Sequence, residues 1–187
     1  MNATVKVWDP VVRVLHWSLA IVVLTDFIAE GGDPLHNWLG YIALFLIGVR
    51  FVWGWVGSAH ARFSNWVRGP RAVRQYLRER LAGRSRRQLG HNPAAASMMV
   101  ALLIGAAIVG ITGWLQTTDY FFGTEWLEEL HEVLAYVVLV MVGLHVLAAI
   151  TESFYYRENL IASMLHGRKR ALGVDEPDCQ PGRKTTG

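Results

Sequence analysis

Apolar residues gather in four long runs, residues 11–29, 38–56, 94–115 and 127–150, separated by stretches that carry most of the charge. A helix must supply ~20 largely apolar residues to cross a hydrocarbon core ~30 Å thick, because each residue advances it only ~1.5 Å. All four runs meet that length, so the pattern predicts an all-α membrane protein, a four-transmembrane-helix bundle. The first run follows Lys6 and Arg13 as a signal peptide might, but it contains His16 and lacks a small-residue cleavage site. It is therefore read as a retained span. Between runs two and three, Val73, Tyr76, Leu77 and Leu81 recur at helical spacing after Pro70. That spacing predicts a short amphipathic helix lying in the membrane interface. Residues 1–170 are expected to form one transmembrane domain. Residues 171–187, polar and containing Pro177 and Pro181, are expected to be a disordered cytoplasmic tail.

Charge sets the orientation. The segment 26–37 carries Asp26, Glu30 and Asp33, and the segment 116–130 carries Asp119, Glu125, Glu128 and Glu129, with no Lys or Arg in either. The middle loop instead holds nine arginines between Arg62 and Arg87 against one acid, Glu79. By the positive-inside rule both termini and the middle loop are expected to be cytoplasmic. Such a basic loop suits anionic lipid headgroups better than a nucleic acid, which is not expected as a partner.

Composition narrows the chemistry. At 52% hydrophobic and 18% charged, the 187-residue chain lies below the ~25% charged residues usual in soluble domains. Cys179 is the single cysteine, which excludes disulfides, four-cysteine iron–sulfur sites and covalent haem attachment through a CxxCH motif. Any redox cofactor must then be held without thiolates.

Histidine is the remaining candidate. Ionisable side chains inside a span are costly and mark function by default, although a lone one is often only a packing residue. His131 and His145 stand 14 residues apart on run four, just under four helical turns, so they share a face ~21 Å apart along the axis. His16 matches the depth of His145, and His36 matches that of His131. Opposed imidazoles at two levels suit bis-histidine ligation of iron porphyrins between helices. A proton or ion pathway, and simple packing, stay open from spacing alone. A zinc site is less suited, since each level offers two ligands where zinc takes four.

The stretches Val7-Trp8-Asp9-Pro10, Val14-Leu15-His16-Trp17, His36-Asn37-Trp38-Leu39-Gly40-Tyr41, Gly90-His91-Asn92-Pro93, His131-Glu132 and Gly143-Leu144-His145 carry a family resemblance. Over about residues 6–170 the chain resembles the bacterial di-haem cytochrome b561/nickel–iron hydrogenase b-type cytochrome family. The resemblance implies two non-covalent b haems, an inner one on His16 and His145 and an outer one on His36 and His131. It also implies electron transfer between a quinone and a redox protein partner (a cytochrome c, a hydrogenase or another dehydrogenase) in a bacterial inner membrane. The alternative is a stand-alone superoxide:quinone oxidoreductase of the same family, less favoured because neither outer loop has a cation to attract the anion. A non-redox transporter or anchor ranks third.

Four further positions are candidates. Gly40 and Gly143 lie near ligand histidines, where a missing side chain would admit a porphyrin or, equally, a neighbouring helix. Arg50 lies 14 residues after His36 and so shares its face at the inner level. It is expected to meet an inner haem propionate, with snorkelling to the headgroups as the other reading. His91 is read mainly as the residue before a helix cap and, as a minority reading, as a neighbour of the inner haem or a quinone headgroup.

Overall fold

The computed structural model describes residues 4–29, 31–85 and 87–171. Glu30, Arg86 and Cys179 lie outside them, as does all but the first residue of the expected tail. The four runs fold as helices α1 (Pro10–Ile28), α2 (Pro34–Val56), α5 (Pro93–Gln116) and α6 (Glu125–Tyr155), each long and apolar enough to cross a membrane. Shorter elements lie between and around them: β1 (Thr4–Lys6), α3 (Phe63–Trp66), α4 (Pro70–Leu81), α7 (Leu160–His166) and β2 (Arg168–Arg170).

Three spans begin with the same local device. Asp9, Asp33 and Asn92 each precede a proline at the first helical position. Their side chains accept hydrogen bonds from Val11 and Val12, from Leu35 and from Ala95, respectively. Such a cap satisfies backbone N–H groups that have no partner in the helix, and is worth ~1 kcal/mol. Proline loses nothing there, since its missing N–H would have been one of them. The fourth span, α6, opens with Glu125 and Glu128 in its first turn, where negative charge favours the helix dipole.

The spans pack in the order α1–α2–α5–α6, each in broad contact with the next, whereas α1 and α6 make little or no backbone contact. The bundle therefore keeps room between α1–α2 and α6. Large apolar side chains such as Ile21, Phe45, Phe51, Val140 and Leu147 are exposed on the spans, as lipid-facing positions require.

All the remaining elements cluster at the end that carries the basic segments, called the inner end below. β1 pairs antiparallel with β2, Thr4 opposite Arg170. The backbone N–H groups of Val7 and Trp8 both donate to the Gly167 carbonyl, and Arg13 binds the carbonyls of Met164 and Leu165. The expected amphipathic helix is present as α4, and two arginines of its segment turn inward. Arg80 donates to Glu152 at 2.7 Å, a carboxylate that also accepts from Tyr76, and Arg87 grips Glu158 with two nitrogens at 2.8 and 3.1 Å. Those contacts explain why α6 runs to Tyr155, past the apolar run that ends at residue 150. The pairing of Arg168–Arg170 with β1 has no counterpart in the sequence reading, because three-residue strands carry no periodic signal.

Candidate functional site

The four intramembrane histidines meet in the two expected pairs. The ring centres of His16 and His145 are 6.4 Å apart, and those of His36 and His131 are 6.1 Å apart. A metal–imidazole bond is ~2.0–2.1 Å and a ring nitrogen lies ~1.1 Å from its ring centre, so two imidazoles on opposite sides of one metal have centres ~6.3 Å apart. Both pairs match that span. The rings are tilted by 56° and 86°, which coordination permits because each can turn about its own metal–nitrogen axis. Among the described residues, no group of three or more His, Cys, Asp or Glu side chains forms a metal cluster, so the donor set at each level is two imidazoles.

The outer pair is held from behind. His36 Nδ1 lies 3.3 Å from the Asp26 carbonyl, which accepts from it, and 3.0 Å from Asp26 Oδ1, a buried oxygen without a hydrogen-bond partner. The proton is thereby on Nδ1 and the lone pair on Nε2. Thr112 Oγ1 donates to the Val109 carbonyl at 2.9 Å, so toward His131 Nδ1, 3.0 Å away, it accepts. Both outer rings thus keep Nε2 free for a metal. Gly113 is built into the same contact, since a Cβ there would come within 3.0 Å of His131. A cavity of about 100 Å³ adjoins the pair, lined by Asp26, Gly40, Gly113 and Val138 among others.

The inner pair lacks that support. His16 Nδ1 is buried with no hydrogen-bond partner. Below it, loops and termini form a polar lid. His91 packs edge-on against Trp8 at 4.7 Å and at a tilt against Trp66 at 4.9 Å, and Lys169 lies over the Trp8 ring. Burial, then the positive charges of Lys169 and Arg50, push the His91 imidazole down to about 3. Burial lowers Lys169 to about 8, with Glu158 opposing the shift. Asp9 ties the lid to α2 by accepting from Trp53 Nε1. Burial would raise its carboxyl, but hydrogen bonds from Ser58, Val12, Val11 and Trp53 outweigh that and hold it below the ordinary range.

Arg50 is buried at 5% exposure. Its Nη2 donates to the Ala61 carbonyl at 3.3 Å, its guanidinium lies over Phe63, and Nη1 has no protein partner. Gly40 lines the outer cavity one turn after His36. Gly143 is brought to neither pair: it is exposed with nothing within 4 Å, and two residues of helix set it ~200° around α6 from His145. Of the other glycines on α5, Gly105 faces Val138 and Gly110 faces Leu44, as packing positions.

Asp26 stood in both the first apolar run and the acidic segment after it; α1, which continues to Ile28, carries it half-buried in its last turn. With Thr112 and Gly113 it completes the outer level, and none of the three was singled out from sequence as part of the site.

A family model described as prokaryotic cytochrome b561 matches residues 7–167. The chain belongs to the prokaryotic cytochrome b561 family. It is therefore a multi-pass membrane cytochrome of b type, a class that works by electron transfer. Relatives described as probable Ni/Fe-hydrogenase B-type cytochrome subunits include one from Rhodobacter capsulatus, 26% identical over 90% of this chain and 82% of the relative. Others come from Azotobacter vinelandii, 26% identical over 95% and 92%, and Cupriavidus necator, 27% identical over 86% and 85%. No solved structure matches this cytochrome b561 family member.

Proposed function

We propose that this cytochrome holds two b haems, one between His16 and His145 and one between His36 and His131, and conducts electrons across the bacterial inner membrane. The observation that carries the reading is the pair of imidazole separations, 6.4 and 6.1 Å, each suited to one metal between two rings. When bound, a haem iron carries one electron at a time. The protein's own part is to present two free Nε2 lone pairs at each level, to keep α1 and α6 apart, and to enclose the path in apolar side chains. Arg50, buried with one nitrogen unpartnered, would offer a charge-assisted hydrogen bond to an inner propionate.

The basic lid faces the cytoplasm and the acidic segments face outward, as the positive-inside rule requires. A quinone in the membrane is the small-molecule substrate, and lipid surrounds the spans. The redox protein partner is a hydrogenase, supported by the hydrogenase-associated relatives. Glu125, Glu128 and Glu129 at the outer start of α6 would steer a partner with a basic face.

Adding a quinol to the purified protein tests the reading. The expected result is a b-type absorption spectrum that a quinol reduces to the same final level as dithionite. A protein without haem absorption, or a spectrum that dithionite reduces and quinols leave unchanged, would contradict it.

A further inference from the structure

Asp26 is an acid in an unfavourable place. It lies inside an apolar span and in the last turn of α1, the end of a helix that repels negative charge. Its side chain is only 20% exposed, and Oδ1, buried without a hydrogen-bond partner, lies 3.0 Å from His36 Nδ1. The Asp26 carbonyl approaches the same nitrogen at 3.3 Å. The other ligand rings differ: His131 Nδ1 meets the neutral hydroxyl of Thr112, and His16 Nδ1 is buried without a partner. The outer level therefore contains one histidine backed by a carboxylate, and the inner level has Arg50 and Lys169 in its lid instead.

Resting on the di-haem reading above, we propose that Asp26 is the positioning residue of the outer ligand His36 and the group that sets the outer haem at a lower potential. Two consequences follow from the geometry. The Asp26 carbonyl, accepting from Nδ1–H, fixes the ring's rotation and tautomer, so that Nε2 points into the gap shared with His131. A carboxylate 3.0 Å from the same nitrogen also makes the imidazole a stronger electron donor through Nε2, by its negative charge. That favours the oxidised, more positive iron. With Arg50 and Lys169 favouring the reduced state at the inner level, electrons are driven from the outer level toward the inner one.

The test is a redox titration of the haem-loaded protein, with the outer component assigned as the one lost in His36→Ala. Asparagine keeps an acceptor oxygen but removes the charge. In Asp26→Asn the reduced-to-oxidised ratio of the outer haem at a fixed potential is expected to rise about tenfold, equivalent to ~59 mV for one electron. The inner component stays where it was, and Asp26→Glu restores most of the wild-type value. Should Asp26→Asn lose the outer haem altogether, retention of that haem in Asp26→Glu at near wild-type potential supports the proposal. An outer potential unchanged in Asp26→Asn overturns it, as does loss of the outer haem in both variants. A wild-type protein with one haem component, or one in which His36→Ala removes nothing, overturns the di-haem reading itself and is recognised before any Asp26 variant is measured.

Discussion

The outer and inner histidine pairs have nearly the same separation, yet their surroundings are opposite in kind. At the outer level both rings are held from behind, His36 by the Asp26 carbonyl with the carboxylate 3.0 Å away and His131 by a hydroxyl, with Gly113 drawn close against the second ring. At the inner level His16 keeps a bare nitrogen, and the polar groups sit farther off in a lid that gathers Arg50, His91 and Lys169. On the proposed di-haem reading, the ligands let both levels hold the same metal group, and their neighbours set how tightly each is oriented and which one holds an electron more readily. Positioning is local and rigid at one end, while at the other it is delegated to a lid assembled from five separate segments of the chain.

The comparison breaks most sharply at Gly113. A leucine there is crowded against the ligand ring, because its Cβ would lie only 3.0 Å from His131 Cε1. Gly113→Leu is expected to remove most of the outer haem and leave the inner one at full occupancy, measured as the haem-to-protein ratio with resolved difference spectra. Gly143→Leu, on a surface with nothing within 4 Å, should leave both in place.

A smaller effect is expected at Arg50. Losing a buried positive charge near the inner level makes reduction there harder, so Arg50→Leu should lower the inner haem's reduced-to-oxidised ratio several-fold at fixed potential. The outer component should not move. Inner and outer potentials shifting together would mean that Arg50 acts through the fold as a whole, and the contrast between the two levels would lose its electrostatic half.

Much of this arrangement was legible in the sequence. The four apolar runs fix the spans because length and hydropathy alone are decisive in a bilayer. The 14-residue interval between His131 and His145 fixes a shared face, and matched depths then choose their partners. What stayed hidden depends on boundaries and on packing. Asp26 lies where the first run and the acidic segment overlap, and a span read from length and hydropathy does not say whether such an acid faces water or a histidine of the next helix. Thr112 and Gly113 belong to a span whose apolar residues cover its whole circumference, so no pattern says which face meets α6. Gly143 misled for the converse reason, since nearness to His145 in sequence places it on the far side of the helix. The lid was invisible because it is built from single residues of distant segments, joined only after the spans have assembled.

The most direct test of the central claim is the haem-to-protein ratio, with reduced-minus-oxidised spectra, of the wild type, His16→Ala and His131→Ala. Two haems are expected in the wild type and one in each variant, with a different spectral component missing from each. If both substitutions removed the same component, or if the wild type bound a single haem, the assignment of one haem to each pair would be contradicted.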